Sequence, residues 1–441
     1  MKYLLHVFGC QMNEADAEVL AGHLEKLGYA KALSEEEADV ILLITCCVRE
    51  HAESRVYGKI GELYHLKQLK PTLILGVCGC MTQQDDVAEK MRTRYPYLDL
   101  IFGTHNLPEF PRLLEQARAS GELVFEVLPE AEGVVEDLPR LRNDGLKSWV
   151  TIMYGCNNYC TYCIVPYVRG RERSRQPHAI VNEITDLVKR GYREITLLGQ
   201  NVNSYGKDLD IDVDFASLLE QIDQIEGLER IRYMTSHPRD FTERLVDAIA
   251  SSESVCEQFH LPVQSGSNNM LKAMNRGYTR EHYLSLVRKI REVLPNASIS
   301  TDFIVGFPGE TEQDFEDTLS LVKEVRYDSA YTFSYSARTG TPAAGLEDQL
   351  SEGEKSERLG RLIEAVTATT FERNLPLQHQ VLEVLVEGPS KKDPSKLTGR
   401  TRTNKLVHFV GEKELVGKLV DVKITKVQTW SLIGEQAGLP H

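Results

Sequence analysis

The chain has 441 residues, 41% hydrophobic and 26% charged, a composition that excludes a disordered protein and leaves room for two to four domains. A formal net charge of −14 excludes a protein that coats nucleic acid with its whole surface, so any basic binding face is local. The sequence has no apolar run of about eighteen residues to span a membrane. Its nine cysteines are too dispersed for a secreted disulfide framework and point to a reducing cytoplasm.

The opening residues read as a buried strand at 4–8. The apolar stretch there is broken by His6 and is too short for a secretory signal. A helix from about Glu14 places Leu20, Leu24 and Leu27 on one face and ends at Gly28. Continuous apolar runs at 40–45 and 72–77 suit strands buried on both faces of a parallel sheet. Cys10, Cys46 and Cys80 each follow the carboxyl end of one of these strands, where open parallel sheets bind their ligands. Converging there, three thiolates make a candidate cluster site; taken singly, such cysteines are ordinarily small buried hydrophobes. Cys78 is expected to point into the sheet, and Cys47 and Cys256 have no assigned role.

Residues 128–145 are acidic, contain Pro129 and Pro139, lack periodicity and read as an interdomain linker. The expected organisation is therefore 1–127, a parallel α/β domain; 128–145, the linker; 146–374, a partial barrel; and 375–441, a small β-barrel. Strands are predicted at 149–153, 194–198, 230–234, 258–262, 298–305 and 329–333. Helices are predicted at 179–190, 281–293 and 315–325, the last behind a Thr311/Asp314 capping box. Six parallel strands with such crossovers make an incomplete (βα)6 barrel, whose site lies at the carboxyl ends of the strands.

Cys156, Cys160 and Cys163 follow the first of those strands in C-x3-C-x2-C spacing. Three thiolates can hold three irons of a 4Fe-4S cube and leave the fourth open. A structural zinc site would need a fourth protein ligand, and His178 is the candidate for it. Polar side chains at the barrel mouth, Gln200, Gln264 and Asp302 among them, are candidate ligand contacts. Gly306 to Thr311 allows close backbone approach to a ligand, or forms a plain turn. Arg169, Arg171, Arg173 and Arg175 alternate after the cysteine loop, either pairing with neighbouring acids or clamping an anionic polymer.

Beyond residue 375, short β-type runs at 380–386, 405–409 and 419–427 read as an antiparallel barrel of OB-like type. From Pro376 onward ten Lys and Arg face seven Asp and Glu, a local net of +3. Lys391, Lys392, Lys396, Arg400, Arg402 and Lys405 stand against Asp393 alone, a candidate RNA-binding face unless they form a merely solvated loop.

Together these motifs resemble the methylthiotransferase branch of the radical S-adenosylmethionine (SAM) superfamily, most closely the MiaB-type tRNA enzymes. The resemblance runs through Gly9-Cys10, Cys46, Gly79-Cys80, and the blocks 154–175, 200–206, 260–268 and 302–311. The last module resembles the TRAM domain. What the resemblance implies is sulfur insertion at carbon 2 of N6-isopentenyladenosine 37 in tRNA, followed by methylation from a second SAM. Cys156, Cys160 and Cys163 would hold a 4Fe-4S cluster that chelates SAM, with Gln200, Gln264 and Asp302 as SAM contacts. Cys10, Cys46 and Cys80 would hold a second 4Fe-4S cluster that delivers sulfur. The implied partners are the tRNA anticodon stem-loop and an external electron donor, with a cytoplasmic monomer expected. Three alternatives stay open: a threonylcarbamoyladenosine in tRNA, an aspartate of a ribosomal protein, or a non-catalytic iron–sulfur or zinc scaffold for RNA.

Overall fold

The computed structural model describes residues 1–47, 50–142 and 145–438, with 50–52 described through their backbone alone. Residues 143–144 of the expected linker and 439–441 of the expected last domain lie outside the described residues.

The first domain alternates strand and helix: β1 (Lys2–Val7), α1 (Gln11–Lys26), β2 (Ala30–Lys31), β3 (Val40–Thr45), α2 (Glu50–Leu69), β4 (Ile74–Gly79), α3 (Asp85–Arg94), β5 (Leu100–Phe102), α4 (Phe110–Ser120) and β6 (Val124–Glu126). The strands lie in the order β2-β1-β3-β4-β5-β6, and every neighbouring pair is parallel. Both central strands, VILLIT and ILGVCG, are buried along their whole length because helices cover both faces. Leu20, Leu24, Phe110 and Leu113 pack on one face; Val56, Ile60, Ala88 and Met91 pack on the other. The strand order reverses between β1 and β3, which opens a crevice at their carboxyl ends. Leu27 does not share the apolar face of α1. It caps the helix and is 48% exposed, so the buried stripe is completed by Ala17 and Ala21.

The segment joining the first two domains is pinned at several points before residue 143. Leu141 N donates to Glu18 O at 2.9 Å, and Arg142 pairs with both Glu18 and Glu183. Arg140 reaches Glu183 at 3.1 Å, and Arg175, from beyond the cysteine loop, reaches it at 2.7 Å. Burial would push the Glu183 carboxyl up, but Arg140, Arg175 and Arg142 outweigh it and hold it at about 2. Replacing Glu183 with glutamine leaves three buried guanidinium groups facing one another and is expected to cost about 3 kcal/mol at pH 7. A carboxylate with a depressed folded-state pKa stabilises above its unfolded value and loses that contribution as pH falls. The gap in melting temperature between parent and Glu183→Gln should therefore narrow as pH drops from 5 toward 3.

The central domain comprises β7 (Lys147–Thr151), β8 (Met153–Tyr154), α5 (Val165–Arg169), β9 (Arg173–Ser174), α6 (Pro177–Lys189), β10 (Glu194–Leu198), α7 (Phe215–Asp223), β11 (Arg230–Tyr233), α8 (Glu243–Ser251), β12 (Gln258–His260), α9 (Asn268–Ala273), α10 (Arg280–Val293), β13 (Ser298–Val305), α11 (Glu312–Val325), β14 (Ser329–Ser334) and α12 (Glu352–Asn374). Six of its strands form two parallel three-stranded halves, β11-β10-β7 and β12-β13-β14, linked by a bridge between Ile231 and Val255 and by Ser236 N donating to His260 O at 3.3 Å. Ile180, Ile184 and Leu187 face inward from α6, as their spacing predicts. The Thr311/Asp314 capping box opens α11.

The last domain is a closed barrel of β15 (Val381–Pro389), β16 (Leu397–Thr401), β17 (Leu406–Val410), β18 (Leu419–Val427) and β19 (Leu432–Gln436). It differs from the expectation in two ways. One pair, β17 with β19, is parallel. Two strands, β16 and β19, also escaped prediction, because each combines a glycine with polar residues and shows no apolar run.

Candidate active site

Glycine precedes a cysteine at Gly9-Cys10, Gly79-Cys80 and Gly155-Cys156, and all three glycines have positive φ, of 140°, 107° and 77°. An added Cβ would lie 2.5 Å from Cys46 Cβ at Gly9, 2.5 Å from Thr45 O at Gly79 and 2.0 Å from Arg171 O at Gly155. The backbone is thus drawn tight behind each of these sulfurs in a way that only glycine permits.

The crevice at the ends of β1, β3 and β4 gathers Cys10, Cys46 and Cys80. Cys10 Sγ and Cys80 Sγ each lie 4.0 Å from Asn13 Oδ1. A hydrogen bond with Cys46 is the main influence lowering the Cys10 thiol to about 6, with Arg169 adding to it. Cys80 is lowered by its hydrogen bond with Cys47 and by Arg169, whereas that same bond and burial push the Cys47 thiol up. Cys78 belongs to the apolar core beneath α1 and α4, where burial keeps its thiol high.

The second set sits in the loop between β8 and β9, whose pairing, Met153 with Ser174 and Tyr154 with Arg173, closes the loop on itself. Asn158 Nδ2 donates to Cys156 Sγ at 3.3 Å. The buried Arg276 donates to Cys160 Sγ at 3.2 Å and to Tyr162 OH at 3.3 Å. Burial raises the Cys156 thiol to about 11 and the Cys163 thiol to about 12. Each set therefore carries one buried arginine on a sulfur: Arg276 on Cys160, and Arg169 on Cys80 at 3.3 Å. Neither arginine, nor Asn13, was singled out as a sulfur contact from sequence. Among the described residues no group of His, Cys, Asp and Glu is arranged to hold a metal ion, and His178 is exposed on α6.

The two sets adjoin. Cys10 packs in one apolar cluster with Met12, Leu198, Trp149, Tyr154 and Met234, and Tyr154 stands two residues before Cys156. Trp149 and Met234 also line a cavity of about 750 Å³ that runs down the barrel interior. Glu14, His260, Tyr331 and Arg400 face the same cavity, so all three domains contribute to its wall.

Gln200 is held at the cysteine loop, its Oε1 accepting from Gly155 N at 2.6 Å. Gln264 and Asp302 are neighbours through the bond from Gln264 N to Asp302 O, and Asp302 lies 3.6 Å from His260. The Gly306 turn is locked internally: Glu310 accepts from Gly306 N at 2.8 Å and pairs with Arg358 at 2.7 Å. Arg169, Arg173 and Arg175 do not form an outward clamp. Arg169 pairs with Asp16, Arg173 with the backbone oxygens of Gly133 and Arg169, and Arg175 with Glu136 and Glu183, which leaves Arg171 exposed.

Of the basic residues in the last domain, Lys391 and Lys392 are exposed and Lys396 pairs with Asp393 at 3.0 Å. Arg402 does not lie on an open face. It is committed to Glu257 at 2.8 Å and to the backbone oxygens of Glu253 and Val255. Lys405 is tied to Asp328 at 2.8 Å. Charge counting along the sequence does not separate cations that face solvent from cations that face another domain.

Three family descriptions match the chain: "Uncharacterized protein family UPF0004" over residues 2–103, "Radical SAM superfamily" over 150–322 and "TRAM domain" over 377–436. A radical SAM methyltransferase, TsrM from Kitasatospora setae, shares the fold with a TM-score of 0.56 at 16% identity, over 78% of this chain and 75% of that one. The tRNA-2-methylthio-N(6)-dimethylallyladenosine synthase of Desulforamulus reducens is 61% identical over 98% of this chain and 95% of its own length. The synthase of the same name from Alkaliphilus oremlandii is 56% identical over 98% of this chain and 92% of its own length. At such identity over nearly the whole length of both partners, the chain belongs to the family of MiaB-type tRNA methylthiotransferases, within the radical SAM superfamily.

Proposed function

We infer that this protein is a tRNA-2-methylthio-N6-dimethylallyladenosine synthase. It inserts sulfur at carbon 2 of N6-isopentenyladenosine 37 and methylates that sulfur with a second SAM. The observation that carries the reading is the meeting of two cysteine sets at one barrel mouth. They are joined by the apolar cluster around Cys10 and by Arg169, above a cavity that all three domains line.

The donor sets fit two 4Fe-4S clusters. Each has three sulfurs, at least one of them behind glycine-tightened backbone, one buried guanidinium on a sulfur, and no fourth protein ligand assigned. Cys156, Cys160 and Cys163 would hold the SAM-binding cluster, and Cys10, Cys46 and Cys80 the sulfur-delivering one. When bound, these groups and SAM supply the electron, the radical and the sulfur. The chain's own work is to place and to dry the site. Trp149 and Met234 provide apolar wall beside Cys10, Gln200 ties the cysteine loop to the end of β10, and the neighbours Gln264 and Asp302 would offer polar groups to SAM. The exposed Lys391 and Lys392, with Lys396 beside them in its surface pair with Asp393, would meet tRNA phosphates. An electron donor, a monomeric state and a cytoplasmic site complete the reading.

The deciding measurement is mass analysis of tRNA nucleosides from cells lacking the protein. The expected result is loss of the methylthio nucleoside with accumulation of isopentenyladenosine. Accumulation of unmethylthiolated threonylcarbamoyladenosine instead, or an unchanged tRNA profile, would refute it.

A further inference from the structure

Arg169 ends the five-residue helix α5, six positions beyond Cys163, yet its guanidinium lies in the other cysteine set. Its Nε donates to Cys80 Sγ at 3.3 Å, and its second amino nitrogen donates to Asn13 Oδ1 at 3.1 Å and Asp16 Oδ2 at 2.6 Å. Both members of the ion pair are buried, with Arg169 5% exposed and Asp16 5%. The helix that carries Arg169 is anchored in the first domain. Ile164 and Val168 pack with Cys47, Cys80 and Met81, and Thr104 Oγ1 donates to Val168 O at 2.7 Å.

A salt bridge serving only to hold two domains together would not need a sulfur in its fan of acceptors. A guanidinium fixed against a buried thiolate favours whichever state of the bound group carries more negative charge. Net charge and hydrogen bonds to sulfur are among the terms that set iron–sulfur potentials.

We propose that Arg169 is a positioning residue for the Cys10, Cys46 and Cys80 site. It holds Cys80 in place as a ligand and raises the reduction potential of the cluster bound there, while Asp16 offsets part of its charge. The inference rests on the reading that this set holds a 4Fe-4S cluster. It further implies that the loop of one cluster supplies an electrostatic component of the other.

The test uses the full chain with Cys156, Cys160 and Cys163 replaced by alanine, reconstituted anaerobically and titrated while the cluster's electron paramagnetic resonance signal is followed. Arg169→Gln should lower the midpoint so that, at a fixed poise, the reduced-to-oxidised ratio falls about tenfold, which is about 59 mV for one electron. Asp16→Asn should move it the opposite way, and Arg169→Lys should fall between Arg169→Gln and the parent. Unchanged midpoints, or shifts of one sign in Arg169→Gln and Asp16→Asn, would overturn the proposal. If Arg169→Gln loses its cluster, the Lys and Asn variants decide by the same criterion; loss of the cluster in all three also overturns it, because the charge survives in two of them. A triple-alanine parent that binds no iron refutes the cluster reading itself, a failure visible in the iron count before any potential is measured.

Discussion

Cys156→Ala should abolish formation of 5′-deoxyadenosine from SAM, whereas Cys10→Ala should leave much of it and stop sulfur insertion into tRNA. The asymmetry follows from where the two residues stand. Cys156 lies in the loop at the barrel mouth, hydrogen-bonded to Asn158 and tethered to Gly170 O at 3.1 Å. It belongs to the set beside the expected SAM contacts. Cys10 opens α1 in the first domain and reaches the barrel through the apolar cluster with Trp149, Leu198 and Met234. Removing one sulfur from a three-sulfur set leaves too few protein ligands to hold a cube, so each substitution should also cut the iron bound by about half. The checks are iron content, liquid chromatography of 5′-deoxyadenosine, and mass analysis of product tRNA. SAM cleavage that persists in Cys156→Ala would sink the assignment of the barrel set.

Arg232→Met should unseat the terminal barrel. Arg232 lies on β11 at the floor of the cavity, 6% exposed. It donates to Glu194 Oε2 at 2.9 Å, to Gln258 Oε1 at 2.9 Å, and to the backbone oxygens of Thr401 and Arg402 at 2.8 and 2.9 Å. Burial would push the Glu194 carboxyl up, but Arg232 and Lys147 outweigh it and hold it below the ordinary range, so it is charged at neutral pH. Removing the guanidinium leaves that carboxylate with Lys147, 3.6 Å away, as its nearest cation, strips Arg402 O of its donor and takes from Thr401 O one of its two. Breaking a buried pair in this way costs about 3–5 kcal/mol. Limited proteolysis should then cut in the segment around residues 375–380, and tRNA binding should weaken, while SAM cleavage without tRNA changes little. Parent-like resistance to protease would show that the seam is held elsewhere.

The strands that were legible in the sequence are those whose burial leaves either an apolar run, as in β3, or an apolar–polar alternation, as in β18. β3, β10, β13 and β18 lie at the bounds their composition predicts. β16 and β19 were not legible, since half of each strand faces solvent or the barrel seam, and glycine and polar residues interrupt the pattern. The cysteines were legible because thiolates at short, fixed spacing, or repeatedly at strand ends, are seldom accidental. Their supporting arginines were not. Arg169 meets Cys80 across 89 residues of sequence, and Arg276 meets Cys160 across 116. The arginine run after the cysteine loop signalled that something charged was near but not which side it faced.

From the sequence alone came the class of chemistry and the order of the domains, because ligand type, spacing and apolar periodicity are local properties written along the chain. Tertiary structure alone decided that Cys78 lies in the apolar core while Cys47 bonds Cys80, that the acidic connection is a pinned strap, and that Arg402 and Lys405 serve a domain seam. Those outcomes depend on which groups a folded interior brings within hydrogen-bonding distance and shields from water, and distance in space is not encoded by distance in sequence.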